Sequence, residues 1–332
     1  MNPLSYPRKL NGLIRTKAGL IVALVGAIFT VYYLIPTSEN SPTPSASAPA
    51  PFQPITLPQP TKEEITSALR PSLAQALAFT GSASPSERLS LIYKFPDDLS
   101  EIENKAVLAK LLAPPSADAS PGWHAEFLHA LCLLLQRSLP DPHLFSRTLL
   151  TLAHDSSRPL VIRDYAIQHL AQFYSSPFAS DDHAAIVSSL LDLAQNSTPV
   201  SAPALLALHF LGPPDRLDPT FRGETQPKPA VSDQDLTPLL AAILSSPSPL
   251  PTTMAALRTI ADRKLTTHRP TLRALINNPD HPALLRASAL GSLASFQDPD
   301  DSSFFASLPP SDHPLLSQAI AHARSSSQVR SR

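Results

Sequence analysis

Glycine is scarce in this chain, with 8 residues in 332, and so are aromatics at 6% and cysteine, present only as Cys132. Few glycines argue against the dinucleotide and phosphate loops that need glycine to bring backbone close to a ligand. A single cysteine excludes a disulfide framework, a CxxC redox pair, a cysteine-based zinc site and a CxxCH haem attachment. Cys132 sits among Leu131, Leu133, Leu134 and Leu135 and reads as a small core residue. With few aromatics, a core drawn from 43% hydrophobic residues must be mostly Leu and Ala, which favours helices over sheets. Neither a GxSxG elbow nor an SxxK pair occurs, so nucleophilic hydrolysis has no support.

Proline is abundant instead, at 38 residues. Eight of them fall in residues 36–60 among Ser, Thr and Ala, which marks a polyproline-like spacer. At about 3.1 Å per residue, about 25 residues would reach roughly 75 Å. Before the spacer lies an uncharged run of 18 residues, Ala18 to Ile35. As a helix it would span roughly 27 Å, just enough for a hydrocarbon core. Tyr32 and Tyr33 would sit at the far interface, and Pro36 would stop the helix. Arg8, Lys9, Arg15 and Lys17 all precede the run, in a basic segment 1–17 without acids. By the positive-inside rule this expects residues 1–17 in the cytoplasm and residues 36–332 beyond the membrane, periplasmic in a Gram-negative host. A cleaved signal peptide is the rival reading, although its apolar stretch is usually about 7–15 residues. Gly19, Ala23 and Ala27 recur every fourth residue, a candidate seam for homodimerisation within the membrane.

Over 61–332 there are 22 basic and 26 acidic residues, a balance of −4. That is the wrong sign for neutralising phosphates, so no nucleic acid is expected as a partner. From Thr61 onward the pattern is helical. Thr61-x-x-Glu64 and Ser100-x-x-Glu103 are capping boxes; Ser84-Pro85, Ser120-Pro121 and Asp141-Pro142 place a cap before an N1 proline. Trp123, Phe127, Leu131 and Leu134 follow a helical period, as do Leu285, Ala289, Leu293 and Phe296. No segment alternates with period two, so the fold class is all-α, over a domain spanning 61–326 with a tail at 327–332.

The pattern P-x3-R-x2-A-x3-L appears at Pro159–Leu170 and again at Pro282–Leu293; Pro249, Ala256 and Ile260 keep the spacing, with Thr253 in place of Arg. The alanines at 130, 166, 207, 256 and 289 lie 36, 41, 49 and 33 residues apart. These segments resemble the second helices of HEAT repeats, over about 140–325. The resemblance implies an α-solenoid of stacked hairpins that acts as a binding scaffold for another protein or envelope component. An enzymatic site in the concave groove, around Arg163, Asp164 and His169, is an alternative, and a self-associating structural component is another.

Arg163 and Arg286 occupy equivalent repeat positions. They read either as ligand-binding residues or as partners of nearby acids such as Asp155 and Asp280. The repeats are interrupted at 213–231, where Arg216, Phe221, Arg222 and Lys228 stand among five prolines. Loops of that length are often functional, so Arg216, Phe221 and Arg222 are candidate partner-binding residues, with a plain insertion as the other reading. His124 and His129 are five apart, about 140° around a helix, and do not match HExxH. Asp298-Pro-Asp300-Asp301 lacks the alternating ligands of a calcium loop. No metal and no cofactor are expected.

Overall fold

The computed structural model describes residues 53–59, 61–79, 83–114, 120–138, 141–176, 178–196, 198–212 and 231–328. The expected membrane span Ala18–Ile35, with its basic flank and its Gly19, Ala23, Ala27 seam, lies outside the described residues, as do Arg216, Phe221 and Arg222. Among the described residues no helix is long and apolar enough to cross a membrane.

All regular structure among them is helical, as the sequence period requires. The helices are α1 (Lys62–Ser67), α2 (Pro71–Ala76), α3 (Pro85–Lys94), α4 (Glu101–Leu112), α5 (Pro121–Ser138), α6 (Pro142–His154), α7 (Leu160–Tyr174) and α8 (His183–Gln195). They continue with α9 (Ser201–Phe210), α10 (Asp233–Ser245), α11 (Leu250–Asp262), α12 (Arg269–Asn277), α13 (Ala283–Ser295), α14 (Ser302–Ser307) and α15 (Pro314–Gln328).

Their starts sit where the side chains dictate. Both capping boxes form, at Thr61–Glu64 and Ser100–Glu103, and two more appear at Ser84–Glu87 and Ser232–Asp235. Asp141 accepts from Leu144 N, and Ser120 from Trp123 N. Pro159, Pro249 and Pro282 precede α7, α11 and α13 with near-identical backbone angles, φ −53° and ψ 140° to 142°. The repeat spacing therefore marks equivalent helix starts. Glycine scarcity has a visible consequence at three helix ends. Ala78, Lys264 and Gln297 carry φ of 59°, 55° and 60°, the left-handed position that glycine fills without strain.

The helices pack in consecutive pairs: α2 with α3, α4 with α5, and so on to α14 with α15. The second helix of each pair also packs against the second helix of the next, in an unbroken series α3, α5, α7, α9, α11, α13, α15. First helices α4, α6, α8 and α10 pack side by side in the same order. One apolar core runs between the two rows. The repeated alanines lie in it: Ala130, Ala166, Ala256 and Ala289 are fully buried and Ala207 nearly so. A small residue there lets neighbouring helices approach closely.

The end of the proline-rich segment does not stand free. Ile55 N donates to Thr151 Oγ1 of α6 at 3.1 Å, Gln59 Nε2 donates to the Ala109 carbonyl of α4 at 3.0 Å, and Leu57 packs against the core. Residues 53–59 thus lie along the row of first helices.

Candidate functional site

Arg163 and Arg286 do occupy equivalent places, but inside the hairpins. Each sits one turn into its second helix and donates Nε to a last-turn carbonyl of the preceding first helix: Arg163 to Ala153 and Arg286 to Ile276, both at 2.9 Å. Last-turn carbonyls have no partner within their own helix and form the negative end of its dipole, so a guanidinium suits them twice over. The acids named from the sequence are used differently. Asp155 pairs with Arg158 at 3.0 Å, and Asp280 accepts nothing from Arg286.

The same contact recurs where the sequence pattern was silent. Arg88 donates to Ala76 O at 2.9 Å, and Arg324 to Phe305 O at 3.0 Å and Leu308 O at 2.5 Å. Where the arginine is missing, a hydroxyl substitutes: Ser201 donates to Leu193 O at 2.9 Å, and Ser248 to Ile243 O at 3.1 Å. Thr253, in the arginine place of α11, bonds only Pro249 O of its own turn.

The roots of the 213–230 segment are joined closely. Val231 N donates to Leu211 O at 2.9 Å, and Arg263, 1% exposed, seals the junction. Its Nη2 donates to Leu208 O and His209 O at 2.9 Å, and its Nη1 to Val231 O at 3.1 Å. Gly212 lies at a close approach here, where a Cβ would crowd the buried Arg263 guanidinium. The insertion thus leaves and re-enters the array at one braced point. Sequence reasoning missed Arg263 because it ends an apolar helix between Asp262 and Lys264, where a solvated charge is the usual reading.

The open surface with the richest chemistry lies along α3, α5 and α7. A pocket of about 730 Å³ opens between α3 and α5, lined among others by Leu89, Ser90, Tyr93, Lys94, Trp123 and Glu126. Trp123 stacks on Phe127 with ring centroids 4.9 Å apart, and the Arg88 guanidinium covers both rings at 4.9 and 4.8 Å. That cation–π stack packs Trp123 at the pocket edge.

A polar row continues onto α7. His129 Nδ1 and His169 Nε2 are 3.0 Å apart, and Gln136 Nε2 lies 3.2 Å from His169 Nδ1. Since the Gln136 amide donates, His169 Nδ1 accepts and its Nε2–H donates to His129. Burial keeps both imidazoles neutral, lowering His129 and taking His169 down to about 3. Burial also pushes Asp164 up to about 6, against a bond from Gln168. Arg163, Asp164 and His169 therefore each turn to a different neighbour and do not converge on a common ligand position.

Among the described residues no group of three or more His, Cys, Asp or Glu could hold a metal ion. Cys132 is fully buried, and burial raises its thiol far above the usual range, so it is no nucleophile. The Asp298–Asp301 turn is taken up by cations: Arg269 pairs with Asp298, and Arg273 reaches the buried Asp301 at 2.5 Å. What this geometry offers is an open, aromatic and partly charged pocket between two packed helices. Compared with known proteins, the chain matches no family model, no curated protein and no solved structure.

Proposed function

We propose that the chain is a membrane-anchored α-solenoid of HEAT-like hairpins that binds another protein, or an envelope component, along the face of its second helices. The observation that carries this reading is the unbroken series of second helices from α3 to α15, each packed on the next. Such stacking lays equivalent helix faces side by side into one extended surface, the usual binding surface of repeat arrays. The pocket between α3 and α5 lies on that surface. The uncharged run Ala18–Ile35, with all nearby cations before it, supports a single-pass anchor with the repeat domain beyond the membrane.

Site-specific photo-crosslinking on the full chain in its native membrane tests the binding reading. A photoreactive residue replacing Ser90 or Glu126, on second helices, is expected to capture a discrete protein adduct. The same residue replacing Glu101 or Lys105, on first helix α4, is expected to capture none. Equal adducts from both rows, or none from either, would overturn the assignment of the face.

A further inference from the structure

Residues 53–59, Gln-Pro-Ile-Thr-Leu-Pro-Gln, form no helix or strand of their own, yet they lie against the row of first helices. Their exposure alternates: Ile55 and Leu57 are half-buried, and the residues on either side of each are exposed. A period of two is that of an extended chain laying every other side chain on a surface. Leu57 meets the apolar core, and two hydrogen bonds set the position along the row. Ile55 N–H donates to Thr151 Oγ1 on α6 at 3.1 Å, and that hydroxyl spends its own proton on Arg147 O at 2.9 Å, which leaves it an acceptor for the segment. Gln59 Nε2 donates at 3.0 Å to Ala109 O on α4, a carbonyl that also accepts from Ala113 N. Pro54 and Pro58 bracket the two inward residues. Each proline fixes its own φ and carries no N–H in need of a partner, so docking costs little chain entropy. Because α4 and α6 pack side by side, this short segment spans both.

Alternate side chains turned inward, a backbone donor between them and an amide side chain at the end are the contacts of a bound peptide. We propose that the groove between α4 and α6 is a docking site for an extended, proline-bracketed segment with two apolar residues two apart, and that residues 53–59 fill it as a tethered competitor. A partner segment of the same chemistry enters only by displacing this strap. A short covalent link presents a segment at about millimolar effective concentration, so a groove filled in cis should hold the free segment with a Kd below about 1 mM. Filling in cis also weakens any segment arriving in trans, in proportion to the fraction of chains whose groove is empty. The site lies on the row of first helices and not on that of Ser90 and Glu126, so it goes beyond the binding reading above and stands or falls separately from it.

The test titrates a synthetic peptide with the sequence of residues 53–59 into the full chain in detergent, dye-labelled at Ser5→Cys, and follows binding by thermophoresis. Ile55→Asp with Leu57→Asp puts two charges where the segment turns apolar side chains inward and should release it. The peptide is expected to bind this released chain with a Kd below about 1 mM, and about tenfold or more tightly than it binds the chain with Ile55 and Leu57 intact. A peptide with Asp in both apolar places should bind neither. Adding Thr151→Val to the released chain removes the acceptor of Ile55 N–H at nearly constant shape, and should weaken the peptide about threefold or more. Positions 55 and 57 lie outside the helices, so circular dichroism should match the wild type; Ile55→Ala with Leu57→Ala serves if it does not. No binding to the released chain, equal binding to the released and intact chains, or indifference to Thr151→Val would overturn the proposal.

Discussion

Asp164 shows what a buried carboxyl does when no cation reaches it. It is 5% exposed, its Oδ1 has no hydrogen-bond partner among the described residues, and its pKa is pushed up to about 6 by burial. In the unfolded chain it would titrate near 3.8. Between those values the folded state binds the proton more tightly, so this group's contribution is fully present below about 3.8 and is lost as pH rises through 6. The buried imidazoles act with the opposite sign. His169, taken down to about 3, must stay neutral to fold, so its contribution is fully present above its ordinary value of 6.5 and is lost as pH falls below it. Asp164→Asn is therefore expected to stabilise the domain at pH 7.5 by about 1–3 kcal/mol, since each tenfold in proton affinity is worth about 1.4 kcal/mol. The gain should shrink towards pH 4, where Asp164 is protonated in the folded state. Thermal melts of both chains at pH 7.5 and pH 4 check this; a gain independent of pH, or a loss at pH 7.5, would show that the charge is not the cause. The sequence named Asp164 only as part of a candidate groove with Arg163 and His169; its burial was not legible there, because burial is decided by which helix face meets the neighbouring hairpin.

At the scale of the elements, what was legible was what is local. A capping box needs only a hydroxyl and a carboxylate three residues apart, so Thr61–Glu64 and Ser100–Glu103 could be read directly and both form. The P-x3-R-x2-A-x3-L spacing likewise marked equivalent helices, since the proline start and the buried alanine are both properties of one helix. The role of its arginine was not local. Arg163 and Arg286 meet carbonyls ten residues back, across a turn whose path no side-chain pattern specifies. Hairpins are also tied to one another through buried acids in the first turn of a first helix or just before it. Arg70 reaches Glu103 at 2.7 Å, Ser146 reaches Asp182 at 2.8 Å, and Arg273 reaches Asp301 at 2.5 Å. Those acids lie at the positive end of a helix, which favours them there. Arg163→Met keeps most of the aliphatic stem and leaves the Ala153 carbonyl without its donor. The expected loss is about 1–3 kcal/mol in urea unfolding, the usual consequence of leaving a buried acceptor unpaired. Arg286→Met should lose less, because Arg286 is only half-buried and water can reach its acceptor. Crosslinks from Ser90 and Glu126 should persist in both variants. Unchanged stability together with lost crosslinks would instead make these arginines ligands.

At the scale of the whole molecule, each hairpin packs chiefly on its sequence neighbours. The docked segment 53–59 crosses two hairpins, α4/α5 and α6/α7, on the first-helix row and leaves the second-helix row uncovered at α3 and α5. The spacer expected from the sequence at 36–60 overlaps this docked segment at 53–59. Whether that spacer leads to a bilayer is a question of orientation, and the charge pattern gives a definite answer to test. If Arg8, Lys9, Arg15 and Lys17 stay in the cytoplasm, Ser5 lies inside and Ser41 outside. Cysteine labelling suits this chain well, because its one native thiol, Cys132, is fully buried and held protonated. A membrane-impermeant maleimide added to sealed cells or spheroplasts should label Ser41→Cys at once, and Ser5→Cys only after the membrane is opened. Alkaline carbonate should leave both variants in the membrane fraction. Labelling of Ser5→Cys in sealed cells would reverse the orientation. Release of a shortened chain by carbonate, with the Ser5→Cys label absent from it, would show that Ala18–Ile35 is a leader removed by cleavage rather than the anchor.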